Sequence, residues 1–159
     1  MSEAKFKTLR HIETVRNYLN LCIRELLERQ EKHDQSKLES PECEMFEVFT
    51  HRLRSMTYGS QEYKDCLTEM GDALKHHYKN NRHHPEHFQG GICEMTLIDL
   101  LEMLCDWKAS GMRHDDGDIM KSIEINRQRF NLTTQVTLIL ENTAKWMNEK
   151  EVFHKAKES

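Results

Sequence analysis

Ten histidines stand in a chain of 159 residues, and five of them fall between His76 and His87. Imidazole nitrogen and carboxylate oxygen are the donors that hold Mn, Fe, Co, Ni or Zn, and such an ion needs several of them converging on one point. The donors arrive here in the order His11, His33-Asp34, His77, His83-His84 and Asp106. Three of them have a reason to point inward. His11 flanks an apolar helical stripe, His77 continues a core face that carries Met70 and Leu74, and Asp106 lies on a segment that is apolar nearly all round. A buried ionisable group is costly unless it is paired or bound to metal. The expectation is a site for one or two divalent transition-metal ions.

The elements that must position these donors read as helices, with one loop among them. Leu9, Ile12, Val15, Leu19, Cys22, Ile23 and Leu26 recur at three- and four-residue steps, which predicts a first helix over about 4–29 with one buried face. Ser40-Pro41-Glu42 looks like a cap, a first-turn proline and a first-turn acid, opening a second helix that runs to about Met56. Ser60 caps a third helix over about 61–79, with Tyr63, Cys66, Leu67, Met70, Leu74 and His77 on its apolar face and His76 turned away. A loop over 80–91 carries His83, His84 and His87. The fourth helix, about 95–110, carries its acidic residues along one side, Asp99, Glu102 and Asp106. Two more, about 118–131 and 135–148, precede a polar tail expected to fray over about 149–159.

Composition agrees with this reading. Six Gly and two Pro leave little punctuation for strands and turns. The chain is therefore expected to be all-α, a single compact domain of about six helices over 1–159. A mean hydropathy of -0.81, with no long apolar run, argues against a membrane span. The first residues lack an apolar signal core, so a cytoplasmic location is expected. Five cysteines at no CxxC spacing read as free thiols, three of them at apolar helical positions. A net charge of -4 speaks against general nucleic-acid binding, though not against a nucleotide-sized anion.

Three segments, HDQSKL at His33–Leu38, HHYKNNRHHPEHF at His76–Phe88 and EMLCDWKASG at Glu102–Gly111, together resemble the HD-domain superfamily of metal-dependent phosphohydrolases. They resemble more closely a family of small HD-like proteins of phages and bacteria. The resemblance spans roughly residues 11–112. It implies an HD-like fold in which His33 and Asp34 bind the metal, His11 and Asp106 complete the site, and His77 with His83 or His84 recruits a second ion. Asp106 is preferred to Asp99 because CDWKAS matches the late-aspartate segment better. The implied reaction is hydrolysis of a small phosphate substrate, a nucleotide or related ester. Lys37, Arg82 and Arg113 would steady the developing charge, and Asp99 or Glu102 would orient the water or hold a ligand histidine. Two alternatives share the ligand order or the site: an HD-type di-iron oxygenase, and a non-catalytic protein that binds a nucleotide or a metal. A homodimer is compatible with either.

Overall fold

The computed structural model describes residues 2–57, 59–112 and 117–158, with side chains omitted at 54 and 152–158. Among the described residues there are helices and 3-10 turns and no strand, so the fold is all-α. No helix among them is long and apolar enough to cross a membrane. The chain divides into two compact units, Met1–His33 and Asp34–Ser159.

The first unit is one helix, α1 (Glu3–Lys32), opened by Ser2, whose side chain accepts from the Lys5 backbone N–H. Its periodicity is as expected, but the face is not buried. No α1 residue is buried, and Leu9, Ile12, Val15, Leu19 and Ile23 are all exposed. A helix that forms a unit by itself has no second layer against which to close its stripe. The apolar period reports amphipathicity, and burial was a further assumption.

The second unit begins with a 3-10 turn (Gln35–Leu38) and α2 (Glu42–Arg54). Pro41 stands at the cap of α2, and no side chain caps it. The expected third helix is two: α3 (Gln61–Glu69), capped by Ser60, and α4 (Gly71–Asn80). The break falls at Gly71, whose φ of +50 a residue with a Cβ adopts only at a cost. Short 3-10 turns at Pro85–His87 and Gly91–Glu94 shape the histidine loop. Then come α5 (Leu97–Gly111), α6 (Ile119–Arg129) and α7 (Thr134–Glu158). The last helix continues through the tail that was expected to fray.

Two apolar clusters hold this unit. Met103, Leu104, Ile123, Leu140 and Ala144 join α5, α6 and α7, while Phe49, Cys66 and Met70 join α2 to α3 and its end. Full burial of each large side chain contributes about 1.5–3 kcal/mol. Of the cysteines, all free, only Cys66 is buried; Cys22 and Cys105 are exposed.

Candidate metal centre

Asp34 opens the second unit with a left-handed backbone, φ +56, a conformation that Asp tolerates better than most residues. The 3-10 turn that follows has about three residues per turn, so residues i and i+3 eclipse. That is why Lys37 lies over Asp34, its Nζ donating to Asp34 Oδ2. The other carboxylate oxygen, Oδ1, faces the histidines. It lies 3.4 Å from His77 Nε2 and 3.5 Å from His83 Nε2. His77 Nε2 is 2.8 Å from His84 Nε2.

His77 sits on the inner face of α4, while His83 and His84 come from the loop just after it. One donor atom from each of Asp34, His77, His83 and His84 falls within 4.8 Å of the others, a group that could hold a metal ion. Asp34, His83 and Asp106 satisfy the same condition among themselves. A tetrahedral ion with bonds of about 2.0–2.1 Å has donor–donor edges of about 3.4 Å. The two Asp34 distances match that edge. Three imidazoles with one or two carboxylates suit the divalent transition metals, so the donors fit the expected cofactor class without identifying the ion.

Two buried or half-buried carboxylates stand behind the rings. Glu42 has no exposed surface, with Oε2 2.8 Å from His77 Nδ1 and Oε1 2.7 Å from His76 Nδ1. Ser36 Oγ also donates to Glu42, and Asn81 Nδ2 donates to Ser36. Glu102 Oε1 lies 3.3 Å from His83 Nδ1. A carboxylate accepts, so each holds the proton of its histidine on Nδ1 and leaves the Nε2 lone pair facing Asp34. Burial pushes the pKa of His84 down to about 2, with His83 and His77 adding to it. Burial, then Lys37, lowers that of His77. Both rings are neutral at pH 7, the state in which imidazole binds metal.

A family model described as "Family of unknown function (DUF5662)" matches residues 1–150. The chain belongs to that family. No curated protein and no solved structure matches it. The DUF5662 match takes in the first unit, most of the second and every donor of the cluster.

His11 lies on α1, in the first unit. His33 is the C-cap of α1 and adjoins the donor Asp34 through one peptide bond. Two other expected site residues have a structural place. Asp99, expected to orient water, is wholly buried and closes the α5 capping box with Thr96. Arg82, expected to meet substrate, donates to both Asp99 oxygens, at 2.9 and 3.2 Å. That pair serves the helix start. Arg113 lies outside the described residues. Glu42 was missed: a glutamate in the first turn of a helix reads as a dipole-matching surface charge. No signal in the sequence distinguishes the buried case.

Proposed function

We propose that this protein is a metal-dependent phosphohydrolase of the HD type, acting on a small phosphate ester, nucleotides among them. The observation that supports it is a cavity of about 850 Å³ lined by His77, His84 and Asp106 of the cluster and by Lys37. An ion that serves structure alone is enclosed by its ligands, whereas a working one keeps a position open to substrate. In this reading Asp34, His77, His83 and His84 would hold the ion together with Asp106, leaving it open to water and substrate on the cavity side. The HDQSKL motif assigns His33 to the same role.

A bound divalent ion would lower the pKa of water from 15.7 to about 7 and polarise a phosphoryl oxygen. The chain supplies the rest. Glu42 and Glu102 fix the tautomers of two ligand histidines. Lys37 brings positive charge to the cavity wall, where it would meet the equatorial oxygens as the P–O bond to the leaving alcohol breaks and water oxygen bonds to phosphorus.

His77→Ala is expected to lose bound metal and turnover together, with helix content kept. His76→Ala is expected to retain most of both, since that ring is 41% exposed and meets Glu42 from outside. Elemental analysis, circular dichroism and phosphate release from an ester panel with Mn, Co and Mg decide it. Equal losses in the two variants would overturn the assignment of the α4 inner face. A wild-type protein that retains metal but cleaves no ester in the panel would make it a binding protein.

A further inference from the structure

The cavity beside the cluster has two unlike walls. On one, Phe46, Thr50 and Leu53 of α2 follow one another at four- and three-residue steps, the spacing of a single helix face. Tyr63, Leu67, Met70 and Leu74 continue that wall along α3 and α4. Phe46, Leu53, Leu67 and Leu74 are only half-buried, although they pack against the buried Phe49–Cys66–Met70 cluster. Their remaining surface faces the cavity. The other part of the lining includes Lys121, Ile125 and Arg129 at four-residue steps on α6. At the floor stand His77, His84 and Asp106. Lys37 joins floor to wall, with its Nζ 4.9 Å from the centre of the Phe46 ring.

A polar, metal-binding floor beneath a long apolar wall matches a molecule with an anionic head and an apolar body. The volume of about 850 Å³ lies within the range that takes a ligand of some tens of atoms. A nucleoside needs hydrogen-bond partners for base and ribose, whereas along the α2–α4 wall the hydroxyls of Thr50, Thr57, Tyr63 and Tyr78 are set among leucine, methionine and phenylalanine side chains. Methionine adapts to flexible chains, which suits an aliphatic occupant. We propose that the substrate is an amphiphilic phosphate ester, its phosphate at the histidine cluster and its aliphatic body along the α2–α4 wall. The proposal rests on the metal-site reading above for the head group and on the α2–α4 wall for the body.

The test uses the full chain and alkylphosphonates from butyl to octyl, which carry the head group but cannot be hydrolysed as esters. Calorimetric titration is run with Mn and again with EDTA, with AMP for comparison. Affinity is expected to rise with chain length, by up to about fourfold for each buried methylene. EDTA should weaken every phosphonate by a similar factor and leave the chain-length slope. Leu53→Trp and Thr50→Trp, which fill the wall, should flatten the slope while metal content, helix content and Tm stay near wild type. If one of the two fails to fold, the other carries the test. A flat slope in the wild type, or AMP binding tighter than octylphosphonate, overturns the proposal even if EDTA weakens the head group. A slope that persists with no effect of EDTA leaves the body site standing and overturns the metal-site reading instead.

Discussion

A carboxylate with no exposed surface that faces two imidazoles decides where their protons sit. Glu42→Gln keeps the shape but supplies an amide nitrogen as well as an oxygen, so it cannot accept from His76, His77 and Ser36 together. His77 then loses its fixed tautomer, and metal affinity is expected to fall about 10- to 100-fold with the fold retained. Titration against a chelating metal indicator measures this, and an unchanged affinity would reduce Glu42 to a packing residue. The two aspartates of α5 separate in another way. Asp106→Asn should weaken metal binding with little loss of stability, because its carboxylate belongs to the donor cluster. Asp99→Asn should retain the metal and cost about 2 kcal/mol in urea unfolding, because charged hydrogen bonds from Arg82 and the α5 start are weakened. The reverse pattern would exchange their roles.

At the scale of elements, the helical phase is what the histidines depend on. Gly71 ends one helix and begins another, and a Cβ built there meets nothing within 4 Å. Gly71→Ala therefore tests backbone strain alone. It should lower stability by about 1–2 kcal/mol, the cost of a left-handed alanine, and disturb the aim of His77 on α4. Thermal unfolding with and without metal would show both effects. The break itself was not legible, because a single glycine inside an apolar three- and four-residue pattern reads as a tolerated interruption. The inward phase of His77 was legible, since it follows from Met70 and Leu74 on the same side. The Asp99–Glu102–Asp106 line was legible as a line but not as three fates. Asp99 goes to a cap, Glu102 to His83 and Asp106 to the donors, and only three-dimensional neighbours tell them apart. Likewise the 3-10 turn that sets Lys37 over Asp34 was visible only as a spacing.

For the molecule as a whole, the neutral histidines couple stability to pH. The unfolded chain takes up a proton on His84 near pH 6.5, while the native state refuses it down to about 2. Below pH 6.5 the unfolded state thus binds more protons, and by linkage stability must fall as pH falls. His77, also shifted down, acts in the same direction. Between pH 7.5 and 5.5 the metal-free protein should lose about 1 kcal/mol from His84, with His77 adding to the loss, read by urea unfolding at each pH. A flat profile would show that the rings are not desolvated. Saturating metal adds to the native state at pH 7.5 and much less at pH 5.5, because protons compete for the same nitrogens.

The thirty residues of α1 carry a different consequence. At about 1.5 Å per residue the helix extends about 45 Å, yet it has no buried side chain to hold it wound. Its own ion pairs, such as Glu3–Lys7 and Glu25–Arg29, contribute only tenths of a kcal/mol each. Within its own unit the helix has only such local interactions, whereas most helical stability in proteins comes from packing of an amphipathic face. Its amide protons should therefore trade with solvent deuterium on a fast clock, while those around Met103 and Leu104 in α5 wait for global opening. Mass spectrometry of deuterium uptake, peptide by peptide, reads both clocks in one sample. If α1 kept time with α5, its apolar stripe would be covered in solution.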